Sequence, residues 1–227
     1  MLRDFISLFY PRTCINCKRS LLSEEEYICL HCRFSLPHTN YHLLVENAMQ
    51  IRMKSIHNLE HVFAYLHLNR QGIAQKIMHQ VKYNNQEKLG FAVGKWFGFH
   101  IAEHAKEKHI DFIVPIPLHK QKLKERGYNQ SELIANGLGE VLGLEVKNDL
   151  IKRGKYTSTQ TKKGKVDRWL NVNQIFEVDS SVDLTGKHVL LLDDIITTGA
   201  TVEMAATALN ESGLKTLSLA CIATGQK

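Results

Sequence analysis

Residues 189–201 read VLLLDDIITTGAT, and they combine two kinds of chemistry. Asp193 and Asp194 follow an apolar run. Thr197, Thr198, Gly199 and Thr201 come straight after two isoleucines. Gly199 permits a tight turn. The threonine hydroxyls and the backbone N–H groups at the start of a following helix form a cradle fit for a phosphate. Two carboxylates would repel a phosphate, so Asp193 and Asp194 must meet hydrogen-bond donors, and adjacent ribose hydroxyls qualify. The whole segment suits a ribose 5-phosphate. The plainer alternative is a strand-end turn carrying incidental acids.

A second constellation lies near the N-terminus. Cys14 and Cys17 form one C-x2-C pair and Cys29 and Cys32 another. Each knuckle lets two sulfurs face one point, so four thiolates suit a structural Zn2+. Redox-active or incidental cysteines are the alternative. A segment this short buries too little to stand alone, and a bound metal would supply folding energy. His31, inside the second knuckle, reads as a bystander. Cys221, in the apolar run TLSLACIA, reads as a buried core thiol.

The third feature is charge. Residues 152–168 carry Lys152, Arg153, Lys155, Lys162, Lys163, Lys165 and Arg168 against Asp167 alone, which concentrates the chain's net charge of +6 in one segment. Such a segment is either a solvated loop or a contact for an anionic partner.

Elements must position these groups. The chain has 227 residues, 44% hydrophobic and 23% charged, which fits a globular domain with a small appendage rather than a disordered chain. No apolar run reaches the roughly 18–20 residues of a membrane span. The opening MLRDFISLFYPR reads as an amphipathic packing segment rather than a signal peptide, so a cytoplasmic location is expected. Residues 1–36 are expected to form the zinc-binding module and 37–227 the main domain. There, strands are expected at 61–68, 111–117, 188–192 and 215–220. Helices are expected at 72–83, 88–106, 129–143 and 201–212. Alternating strands and helices argue for an α/β fold with a parallel sheet. HVLLL would be a central strand ending at Asp193, with DDIITTGAT the loop at its carboxyl end, where open α/β sheets bind ligands.

VLLLDDIITTGAT resembles the phosphoribosyl pyrophosphate (PRPP) signature of type I phosphoribosyltransferases. The four-cysteine module, VPIPLHKQKLKERGYNQS, the stretch from Thr157 to Phe176 and this signature also occur in the order seen in the ComF family of competence-associated proteins. Lys163 stands where that family usually has leucine, which adds a cation. The resemblance implies a type I phosphoribosyltransferase core behind the zinc module. It implies that residues 115–130 face pyrophosphate, with Lys120, Lys122, Lys124 and Arg126 as contacts and Gly127 allowing a close approach. It further implies a closing loop at 153–168, turning near Gly164, with Arg153, Gln160 and Arg168 as contacts in the closed state.

The implied reaction needs no protein nucleophile. Pyrophosphate leaves C1 of the ribose, Mg2+ assists, and Asp193 and Asp194 orient the hydroxyls and stabilise the cationic sugar. Helix 88–106 would contribute to a hood over the acceptor. Besides a zinc-dependent scaffold that binds no ligand, two functional readings remain. One is a PRPP-binding phosphoribosyltransferase-like protein acting in DNA uptake or handling, with competence proteins as partners. The other is a PRPP-sensing single-stranded-DNA-binding protein without transferase turnover, in which Tyr128, Tyr156 or Trp169 would stack on bases.

Overall fold

The structure is a computed structural model describing residues 11–83, 86–154 and 175–225. The opening segment 1–10 and most of the basic stretch, including Tyr156, Gln160, Lys162, Lys163, Gly164, Lys165, Arg168 and Trp169, lie outside the described residues.

Five strands build the central sheet: β1 (Leu59–Leu68), β2 (Phe112–Pro115), β3 (Glu145–Val146), β6 (His188–Ile196) and β7 (Thr216–Gly225). They lie in the order β1-β7-β6-β2-β3, with every neighbouring pair parallel. Two further strands, β4 (Ile151–Arg153) and β5 (Phe176–Val178), form a separate antiparallel pair. Parallel strands buried on both faces need near-continuous apolar sequence. HVLLL and LSLACIA supply it, and Val189 to Leu192 and Leu217 to Ala223 are all buried.

Alternate side chains serve two cores. Phe63, Tyr65, Ile113, Leu190, Leu192, Ala220 and Ile222 pack on one face with helices α3 (Ile73–Tyr83), α4 (Glu87–Glu107) and α6 (Gln130–Leu142). Val62, Ala64, Phe112, Val114, Val189, Leu191, Leu219 and Cys221 pack on the other with α7 (Ala200–Glu211) and α2 (Ala48–Arg52). This is the period of two that strands impose. The cysteine segment joins the first core through Cys14, Ile28, Cys29, Cys32 and Leu36, with the short helix α1 (Leu30–Phe34) at its centre.

Helices α4 and α6 meet along glycines. A Cβ on Gly94 would run into the Ile134 carbonyl oxygen, and one on Gly137 into that of Phe91. A Cβ on Gly98 would lie 2.8 Å from the Val141 Cβ. The two helices are therefore in backbone contact.

The main α/β pattern matches the expectation, with β7 running on to Gly225 instead of ending at 220, and two further differences bear on the site. Strand β6 does not stop at Asp193. Asp193 pairs with Cys221, Ile195 with Ala223 and Ile196 with Thr224. The long apolar run of β7 offers a partner edge that carries the strand through both aspartates. Only Thr197, Thr198 and Gly199 then remain as the loop. Second, the segment after β2 is not all loop, since Lys120–Arg126 forms a helix, α5, ended by Gly127 at φ 80°. Glycine takes that left-handed conformation without Cβ strain.

Candidate functional site

Connections leaving β2 and β6 run in opposite directions. Strand β2 leads through α6 to β3 on one side, and β6 leads through α7 to β7 on the other. The carboxyl ends of β2 and β6 therefore flank a topological switch point, the crevice in which open α/β sheets take ligands. The two ends are tied together by the Ile116 N–H, which donates to the Leu192 carbonyl at 2.8 Å.

Asp193 and Asp194 stand at this crevice, both half-buried. Alternation along the strand sends them to different partners. Asp193 Oδ1 accepts from Ser131 Oγ at 3.2 Å and from the Asp194 N–H at 2.8 Å. Asp194 Oδ2 lies 2.8 Å from Lys82 Nζ. Burial, and then the neighbouring charge of Asp194, push Asp193 up to about 7, against the opposing pull of its hydrogen bonds and of Lys82. Arg153, at the end of β4, adds favourable charge toward Asp193 and stacks its guanidinium 5.4 Å from the Phe176 ring centre. The pair is thus held between cations, and it presents acceptor oxygens where ligand hydroxyls could bind.

The TTG turn follows. Gly199 has φ 91° and caps α7 without any side-chain cap, so the first N–H groups of α7 are not spent on one. Thr197 and Thr198 are exposed, Thr201 is half-buried, and Gly199 is buried. Behind the turn lies Met53, fully buried. A Cβ on Gly199 would collide with its thioether, with the sulfur 2.6 Å away. Conformation and packing both require glycine here.

The residues expected on the pyrophosphate side divide. Lys120, Lys122 and Lys124 are exposed on α5. Arg126 is half-buried, donates to Gln130 Oε1 at 2.7 Å, and lies 5.3 Å over the Tyr83 ring. Asn129 organises this corner. Its Nδ2 donates to the Ile116 carbonyl at 3.1 Å, and its Oδ1 accepts from the Ser131 N–H at 3.2 Å as the N-cap of α6. Arg168 lies outside the described residues.

Lys82 and Ser131 were not among the residues the sequence singled out. The signal near Ser131 was Asn129, two residues before it, a capping residue type at the start of the α6 pattern. Lys82 had none, since it is one exposed-type residue at the end of an amphipathic helix.

The four cysteines converge. Their sulfurs all lie within 4.8 Å of one another, with Cys17 Sγ and Cys29 Sγ 3.6 Å apart. A tetrahedron with Zn–S bonds of about 2.3 Å spaces its sulfurs about 3.8 Å apart. The group fits a metal. Asn16 Nδ2 donates to Cys32 Sγ at 3.3 Å, and Lys76 Nζ donates to Asn16 Oδ1 at 2.9 Å, which ties the knuckle to α3.

No helix among the described residues is long and apolar enough to cross a membrane.

Comparison with known proteins gives matching results. The family model "Phosphoribosyl transferase domain" matches residues 79–227. The DNA utilization protein YhgH of Escherichia coli O157:H7 is 26% identical over 149 residues, 64% of this chain and 65% of that protein. The match thus spans just under two-thirds of that relative's length. Competence protein ComFC of Bacillus subtilis is 38% identical over 107 residues, 47% of this chain and 41% of that one. Among solved structures, a glutamine PRPP amidotransferase from B. subtilis aligns with a TM-score of 0.46 and 19% identity, covering 63% of this chain and 30% of that one.

Proposed function

The chain belongs to the phosphoribosyl transferase domain family as a ComF-type, phosphoribosyltransferase-like protein, and from this premise we propose that it binds PRPP and acts in the handling of imported DNA. The observation that carries the reading is the juxtaposition, at the β2/β6 switch point, of a carboxylate pair and an uncapped TTG helix start. These are complementary to the two ends of a ribose 5-phosphate. The phosphate meets N–H groups and threonine hydroxyls, and the ribose hydroxyls donate to Asp193 and Asp194. Arg126 stands beside the crevice on the side where pyrophosphate would lie. Mg2+ suits the hard oxygen donors of this site, and when bound it would offset pyrophosphate charge. Asp193 and Asp194 are the groups that would face it.

The N-terminal module is proposed to carry one structural Zn2+ on Cys14, Cys17, Cys29 and Cys32. The division into residues 1–36 and 37–227 is proposed in the sense that metal holds the first segment together, while its apolar side chains share the core of the second.

A second reading, binding of single-stranded DNA without transferase turnover, is favoured by a groove between the module and α4. It has a volume of about 620 Å³, and its lining includes Tyr27, Phe91, Trp96 and Phe99, with Arg33, Lys88 and Lys95 outnumbering Glu26 and Glu87. Aromatic faces interleaved with cations are what a single strand requires. The name of the Escherichia coli relative supports a DNA-linked role for this chain.

Incubation with PRPP, Mg2+ and candidate acceptors separates the readings. Pyrophosphate release that depends on an acceptor supports transfer. PRPP binding without release, together with binding of an oligonucleotide, supports the second. Absence of PRPP binding by calorimetry removes both.

A further inference from the structure

Away from the crevice, four histidines meet where the segment after the cysteine module packs on α4. His38 and His100 have ring centres 4.4 Å apart, His42 and His100 4.5 Å, and His42 and His104 5.0 Å. The sequence arranges them as two H-x3-H pairs, His38 with His42 and His100 with His104. On α4 that spacing puts both side chains on one face, the arrangement by which helices present paired metal ligands.

Hydrogen bonding leaves these rings unexplained. His38 Nδ1, His42 Nδ1 and His100 Nε2 are buried and have no hydrogen-bond partner, and His42 is only 9% exposed. Buried polar atoms nearly always find a partner, so three unpaired imidazole nitrogens in one ring cluster call for one. Burial, the foremost cause, holds His38, His42 and His100 below the ordinary imidazole range, His100 at about 4.

We infer that His38, His42, His100 and His104 form a second metal site, separate from the cysteines, for a borderline divalent cation such as Zn2+ or Ni2+. Imidazole suits these ions. With Zn–N bonds of about 2.0–2.1 Å, a tetrahedral four-histidine site would set its ring centres roughly 5 Å apart, close to the observed spacings. The imidazole nitrogens do not converge on one point as the four sulfurs do, because His38 and His100 stack with only 23° between their planes. Binding has to turn these rings edge-on to the ion. The backbones are already fixed. The Thr39 N–H donates to the Tyr65 carbonyl, the Thr39 hydroxyl to that of Ala64, and α4 is locked to α6 by its glycines.

The test uses the full chain, free of any affinity tag and carrying one Zn2+, titrated with Co2+. The inference expects one further equivalent of Co2+ with visible d–d absorption and no thiolate charge-transfer band. It also expects broadening of histidine ring NMR signals in the unmodified protein. His42→Gln and His104→Gln, checked for folding by circular dichroism, should each weaken Co2+ binding tenfold or more. No binding beyond the zinc equivalent, cobalt entering only with a thiolate band, or unchanged affinity in both variants would each overturn it.

Discussion

Replacing Asp194 by asparagine preserves shape and removes one charge from a crowded site. In the parent, Asp194 faces Lys82 at 2.8 Å and contributes to the raised pKa of Asp193, about 7. Two effects follow. A charge-assisted hydrogen bond is worth about 1.5–3 kcal/mol, so loss of the one to a ribose hydroxyl should weaken PRPP binding roughly ten- to a hundredfold. Asp193 should also ionise more readily, because one of the causes that raise its pKa is gone. PRPP and Mg2+ favour the ionised carboxylate. Parent affinity should therefore fall as pH drops through about 7, and in Asp194→Asn that fall should begin at lower pH. Calorimetric titration with PRPP and Mg2+, at about pH 6 and about pH 8, measures both effects. Inorganic phosphate should bind the variant as well as the parent or slightly better, since its proposed site is the TTG turn. Thr198→Val should weaken phosphate instead. PRPP affinity in the asparagine variant equal to the parent's would refute the assignment of the pair to ribose hydroxyls.

Three further outcomes are expected. Cys29→Ser should lower the zinc content below one per chain by elemental analysis and also reduce the melting temperature of the whole domain, because Cys29 belongs to the main core; full zinc retention would count against the four-thiolate site. Gly94→Ala should destabilise the fold by about 1–3 kcal/mol in urea denaturation, the usual cost of overpacking, and parent-like stability would contradict the backbone contact between α4 and α6. His61 is 3% exposed, and burial, followed by the charge of Lys108, lowers its pKa to about 4. The unfolded chain binds that proton first, so stability should be greatest above about pH 6.5 and fall by up to about 3 kcal/mol as pH drops through 4, a slope that His61→Gln should flatten.

The sequence carried the architecture where local pattern and tertiary role coincide. The apolar HVLLL run, the amphipathic spacing of Ile73, Ile77, Met78 and Val81, and the paired C-x2-C knuckles each state locally what they do globally. The end of β6 was hidden because charged residues look like a strand terminus, whereas its length is set by the partner strand β7. Lys82 was hidden for the same reason in stronger form. Its role depends on Asp194, far away along the chain, and no local periodicity encodes that meeting. The helix α5 was hidden because its lysines and arginine read equally well as a loop; its helical form is signalled mainly by His119 at the N-cap and Gly127 at the end.

The glycine-to-backbone contact between α4 and α6 has a mechanical meaning. At Gly94 and Gly137 each helix meets the other's backbone directly, so little can deform there and the two helices resist sliding past one another. At one place this two-helix unit carries Trp96, under the guanidinium of Arg33 from the cysteine module, 5.0 Å away. At another it carries Ser131, whose hydroxyl holds Asp193. The cysteine module and the carboxylate pair thus rest on the same two-helix unit at two separate places, like two loads on one beam.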